Sequence, residues 1–195
     1  MTGSPSAVRP PLQDRSRASW ARVLDAGLAL LEEDGADALT VAAVCRRAQI
    51  SPPSLYARVD GRSGLFHAVY EHGMTGVARS EDERLRAVDG SARAVVDAVT
   101  AVFDRHRAFL RAVMVASSSD RALLERGAQE SRRFADRVAQ VLPTADPEAG
   151  RSAARALYEA NSFRTLHGDA FWSPGGEHRD AFIDRTTRLV DTILG

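Results

Sequence analysis

The sequence predicts an all-α fold, and three observations carry that reading. Apolar residues recur at three- and four-residue spacing along most of the chain. No stretch alternates apolar and polar residues as a strand does. Clusters of Pro, Gly, Ser and Asp separate the periodic segments. With 44% hydrophobic and 27% charged residues the 195-residue chain has ordinary globular composition.

Residues 1 to about 14 carry Pro5, Pro10, Pro11, Ser4 and Ser6 without apolar period and read as a flexible arm. A first helix begins near Ser16, with Trp20, Val23, Leu24, Gly27, Leu28 and Leu31 on one face and Gly35 as its stop. Thr40 is placed to cap a second helix, striped by Val41, Val44, Cys45 and Ala48. Ser51 opens a short third helix after a tight turn, with Leu55 and Val59 facing inward. A fourth starts near Arg62, anchored by Leu65, Phe66, Val69 and Tyr70.

The polar run over residues 80–92 reads as a boundary or a frayed helix end. Three further helices follow: one on Val95, Val99, Val102 and Phe103, one on Phe109, Leu110, Val113 and Met114, one on Leu123, Leu124, Phe134, Val138 and Val141. Turn clusters at 143–150 and 173–180 bracket two last helices. Leu157, Tyr158, Asn161, Gly168 and Trp172 line the first; Phe182, Thr186, Leu189 and Ile193 line the second. The expected organisation is an arm over 1–14, a helix-turn-helix domain over 15–62 and a larger helical domain over 63–195.

The segment TVAAVCRRAQISPPSLYARV (40–59) places two short amphipathic helices across a tight turn. In that geometry the second helix enters the major groove while the first crosses the backbone. Thr40 and Ser51 offer hydroxyls for capping and for phosphate contact. Pro52 and Pro53 fit the first helical turn but remove two backbone donors, which leaves the phosphate grip to Tyr56 and Arg58.

The 26 basic residues, all arginine, balance 26 acids, so net charge is silent about partners, but its distribution is not. Between Thr40 and Arg62 stand Arg46, Arg47, Arg58 and Arg62 against Asp60 alone. Arg9, Arg15, Arg17 and Arg22 precede, with Asp14 among them, while Asp25, Glu32, Glu33, Asp34 and Asp37 crowd the stretch between. A local basic surface suffices for phosphate binding.

Thr40, Ala42, Ala43, Ala48, Ser51, Leu55 and Tyr56, followed by Val59 and Arg62, resemble the DNA-binding signature of the TetR family of repressors. The resemblance covers roughly residues 16–75. It implies a three-helix N-terminal DNA-binding region, with Tyr56 and Arg62 on phosphates, Ser54 and Ala57 toward base edges, and Thr40 and Ser51 on the backbone. Arg46 and Arg58 are added on charge grounds. Two positions depart from the pattern: Gln49 replaces the usual turn glycine, and Gly61 the usual cap of the fourth helix, with Asp60 as a substitute.

The resemblance also implies a homodimer built from the last two helices, for which Ala153, Ala156, Ala160, Gly168, Phe182, Thr186, Leu189 and Ile193 are the candidates. It suggests a small-molecule effector pocket as well. Its candidates are Phe103, Phe109, Met114, Tyr158, Phe163, His167 and Trp172, with Asn161 and Arg164 as polar handles.

The expected function is a ligand-responsive repressor that binds a pseudo-palindromic operator in double-stranded DNA as a homodimer. The rivals are a helical enzyme and a protein-interaction module that has lost DNA binding. No Gly-rich phosphate loop, nucleophile motif or metal-ligand spacing supports an enzyme; His67 and His72 lie five apart rather than four. No cofactor or metal is expected. The single cysteine, Cys45, forms no intramolecular disulfide and reads as a small core residue. Without an apolar signal core or a run long enough to cross a bilayer, the expected location is the cytoplasm.

Overall fold

The computed structural model describes residues 12–195, with side chains from Ser16 onward, and these residues contain no strand. The helices are α1 (Leu12–Asp34), α2 (Val41–Ala48), α3 (Pro52–Tyr56), α4 (Gly61–Leu85), α5 (Ala92–Arg105), α6 (Arg107–Ser117), α7 (Arg121–Val141), α8 (Pro147–His167) and α9 (Arg179–Leu194), with a 3-10 turn at Ala36–Ala38. The arm expected over 1–14 lies, as far as residue 11, outside the described residues; from Leu12 the chain is already helical.

The chain divides into two compact units, Met1–His72 and Gly73–Gly195. The first therefore takes in the opening turns of α4, which the sequence reading assigned to the second. Those turns contribute Leu65, Val69 and Tyr70 to its core, beside Val23, Ala26, Leu31, Leu39, Val44, Cys45, Ala48, Leu55 and Val59. Gly27 permits α1 to meet α4 closely: a Cβ there would stand 2.4 Å from Val69 Cγ2. Cys45 is buried, and burial pushes its thiol pKa up, as suits a core residue rather than a reactive thiolate.

In the second unit α8 packs against α7 and α9, α5 against α8 and α9, and α6 against α7 and α8. Val95, Val96 and Val99 of α5 are buried with Val138 of α7, Ala153, Ala154 and Leu157 of α8, and Phe182, Ile183 and Val190 of α9. The rings of Phe103, Phe134 and Tyr158 meet at centroid distances of 6.1, 5.7 and 5.3 Å, which joins α5, α7 and α8 in an aromatic cluster.

Three expectations are corrected here. Of the two readings of the polar run at 80–92, the helix end holds and the boundary does not: α4 runs on to Leu85, and Ser80 and Glu81 are buried. The Glu81 carboxylate accepts from Arg137 Nε at 3.2 Å and from the second nitrogen of the same guanidinium, so an inward partner explains an acid where the pattern shows only polarity. The turn cluster at 143–150 ends early, because the Asp146 side chain accepts from Glu148 N and Pro147 starts α8 as its first residue. Trp172 does not lie on α8; Gly168, at φ 81°, ends the helix with its N–H on Arg164 O.

Candidate nucleic-acid interface

The helix-turn-helix begins at a cap. Thr40 has extended backbone, and its hydroxyl accepts from Ala43 N at 3.1 Å, which fixes the first turn of α2. Arg47 locks α2 to α1 through two 2.6 Å hydrogen bonds onto the Glu33 carboxylate, which these bonds hold below the usual carboxylate pKa. Arg46, its neighbour, is exposed and has no ion-pair partner among the described residues.

Gln49 makes the turn. It has φ 55° and ψ 48° and is the one non-glycine residue at positive φ among those described. The left-handed region is disfavoured for a residue with a Cβ. Gln49→Gly is accordingly expected to stabilise the protein by up to about 1 kcal/mol, relief of strain being partly offset by the greater freedom of unfolded glycine. Gln49→Val, β-branched in the same conformation, should destabilise by about 1–2 kcal/mol. Urea midpoints at unchanged m-value check both.

Ser51 occupies the N-cap position of α3 but does not cap with its side chain. Pro53 has no N–H to offer, and Ser54 N already bonds Ser51 O at 3.0 Å. The Ser51 hydroxyl instead pairs with the Ser54 hydroxyl at 2.8 Å. The third helix is shorter than expected: it ends at Tyr56, with Ala57 as C-cap, although Val59 N still reaches Leu55 O at 3.2 Å. Leu55, 0% exposed, roots it in the core; Pro52, Pro53, Ser54, Ala57 and Tyr56, the last 57% exposed, form its outer surface.

Two arginines assigned to phosphate are engaged within the protein. Arg58 lies with its guanidinium 5.4 Å from the Trp20 ring centroid and donates to Ser16 O and Oγ of α1. Arg62 donates to Ala36 O, Leu39 O and Asp37 Oδ1, fastening the 3-10 turn ahead of α2. Their partners lie 42 and 23–26 residues away, and local charge carries no signal of them. Among the described residues, the helix-turn-helix side chains set outward without a tie to another helix are Arg46, Tyr56 and the small residues of α3, where Ser54 pairs only with Ser51.

The structure distributes the effector candidates over several places. Phe103 and Tyr158 belong to the aromatic cluster, Phe109 and Asn161 are buried core residues, and Met114 is half-buried on α6. Phe163, Arg164 and Trp172 line a pocket of about 150 Å³ at the end of α8, with the His167 ring tilted by 40° against Phe163 at a centroid distance of 4.5 Å. The dimer candidates divide as well. Ala153, Phe182 and Thr186 are buried within their own chain and present no surface to a partner. Ala156, Ala160, Gly168 and Ile193 are half-buried, and Leu189 is exposed.

A capped helix, a tight turn and a second short helix rooted by one leucine define a helix-turn-helix DNA-binding protein. Residues 23–69 match the family model described as bacterial regulatory proteins, tetR family. No curated protein matches the chain. Among solved structures, a transcriptional regulator from Rhodococcus sp. Rha1 is 19% identical, with a TM-score of 0.73 over 89% of this chain and 95% of that one. GusR of Salmonella enterica is 16% identical, with a TM-score of 0.70 over 97% of this chain and 99% of that one. A TetR-family transcriptional regulator from Streptomyces coelicolor is 19% identical, with a TM-score of 0.64 over 91% and 95%. At these identities the likeness is one of fold, and the family match is confined to residues 23–69. Residues 23–69 thus carry the tetR-family regulatory region, and the chain as a whole shares the fold of these regulators.

Proposed function

We propose that the protein is a non-catalytic repressor that binds a pseudo-palindromic operator as a homodimer and releases it when a small molecule occupies the second unit. The observation that carries the DNA-binding part is the two-sidedness of α3: Leu55 is fully buried, while Ser54, Tyr56 and Ala57 are exposed on so short a helix. Thr40, the cap of α2, adds a hydroxyl, and Arg46 on α2 adds a guanidinium with no ion-pair partner among the described residues, the groups that position a protein on phosphates.

A two-fold dimer would set two copies of α3 about 34–36 Å apart, one turn of duplex. Ala156, Ala160, Leu189 and Ile193 remain the candidates for the subunit contact, since they lie on α8 and α9 without being fully buried. An effector acts by binding one conformation better than another. Among the described residues no helix is long and apolar enough to cross a membrane.

Footprinting on the DNA flanking the protein's own coding region tests the reading. The expected result is protection of two half-sites one helical turn apart, with affinity falling steeply as salt rises. Absence of binding to that DNA and to random fragments at low salt would overturn it.

A further inference from the structure

Deepening the effector reading, we infer that the pocket at the end of α8 is an anion site for a small single-ring carboxylate, its arginines neutralised in the free protein by two carboxylates of the chain itself. Its walls are aromatic: Phe163 and Trp172 stack at 5.6 Å with a 19° tilt, and Phe182 closes the side toward α9. Its volume of about 150 Å³ suits one benzene-sized ring, since a cavity of about that size holds benzene in another protein.

Two guanidinium groups flank the Phe182 ring, Arg164 at 4.9 Å and Arg185 at 5.3 Å. The Arg164 side chain is only 9% exposed, and its Nε is fully buried. That nitrogen stands 2.9 Å from Asp169 Oδ1, yet its N–H is not directed at any acceptor. A buried charged donor lacking an aligned acceptor is costly and points to an anion that would fit better.

The present neutralisers come from the segment joining α8 to α9. Asp169 lies beside Arg164 and Arg107, and Glu177 accepts from Arg185 at 2.9 and 3.0 Å, which holds its carboxyl below the usual range. Glu177 N bonds Asp169 O at 2.8 Å, so the two acids are tied together. The arginines that line the pocket stand on helices; the acids stand on a connection with Gly175 and Gly176 beside Glu177. An incoming carboxylate competes with Glu177 for Arg185 and places its ring against Trp172. A cation would have to displace helix-borne arginines and finds no acid without a partner.

The test is calorimetric titration of the purified full-length protein with benzoate and with benzamide, its uncharged isostere. Trp172 emission is followed in a Trp20→Phe background that leaves one indole. Benzoate is expected to bind at least about tenfold more tightly than benzamide, and Arg185→Gln to erase the difference. Glu177→Gln, which removes the internal competitor, should tighten benzoate several-fold; a merely structural role for Glu177 would weaken it. Equal binding of both probes, no binding up to millimolar benzoate, or weakening in Glu177→Gln overturns the inference. Whether benzoate releases operator DNA is measured separately. If it binds as described and DNA stays bound, the site stands and the effector reading falls.

Discussion

Arg46→Ala combined with Tyr56→Ala should lower affinity for operator DNA by about a hundredfold, roughly tenfold for each side chain at 1.4 kcal/mol apiece. Both side chains are exposed, and neither closes a contact in the core, so the melting temperature should stay within a degree or two of the parent. Arg46 carries the electrostatic share. Its single replacement should weaken specific and non-specific DNA alike and reduce the slope of log affinity against log salt by about one. Tyr56 offers a phenol that donates to a phosphate, so Tyr56→Phe should recover part of the loss through its ring alone. The control is Arg58→Ala. Because Arg58 covers Trp20 and ties to Ser16, its loss should lower stability as well as affinity. Fluorescence anisotropy across a salt series, with melting curves alongside, checks all four variants. An unchanged salt slope in Arg46→Ala would remove α2 from the interface.

The helix-turn-helix was legible because its determinants are local. Thr40 caps three residues ahead, prolines mark the start of α3, and Leu55 falls where the helical period demands an anchor. What stayed hidden depends on partners distant in sequence. Arg58 and Arg62 read as two more cations for DNA, yet each is committed to the segment before it, over Trp20 and around the 3-10 turn. Periodicity also leaves a face unassigned. On α9 the buried stripe is Phe182, Ile183, Thr186 and Val190, and Leu189 and Ile193 form an outer apolar pair; spacing alone cannot separate core from subunit contact. The α8 boundary failed for a different reason: Trp172 follows the helical period by coincidence, after Gly168 has already turned the chain.

The same principle governs the ion pairs of the second unit. Asp104 gathers Arg107, Arg164 and Arg179, and Asp169 shares the first two of them. Burial alone would raise the Asp104 pKa, but hydrogen bonds from Arg107 and the charge of Arg164 outweigh it and hold the carboxyl below its usual range. That network draws α5, α8 and α9 together and lies beside the proposed anion pocket. It is why Arg164 is a poor probe of ligand binding and Arg185 a better one.

Removing Arg137 should be the most damaging single change considered, and its effect should depend on pH. The Glu81 side chain is 4% exposed and meets both nitrogens of the Arg137 fork, while that arginine is 37% exposed and partly hydrated. Arg137→Ala strands a carboxylate in the interior, a change that typically costs about 3–5 kcal/mol. Burial already raises the Glu81 pKa despite the arginine's opposing charge, and without that charge it must rise further. A carboxyl whose folded pKa exceeds its unfolded value favours folding fully below the unfolded pKa. That contribution is lost as pH rises through the folded pKa. The deficit of Arg137→Ala should therefore be smallest in mild acid and grow toward neutrality. Glu81→Gln in the Arg137→Ala background removes the stranded charge and should recover most of the loss at neutral pH, flattening the pH dependence. Urea denaturation of the four proteins of this double-mutant cycle, at acidic and neutral pH, measures each quantity. A deficit independent of pH, or a double variant no more stable than Arg137→Ala, would show that Arg137 acts through packing of its aliphatic stem and not through the charge it neutralises.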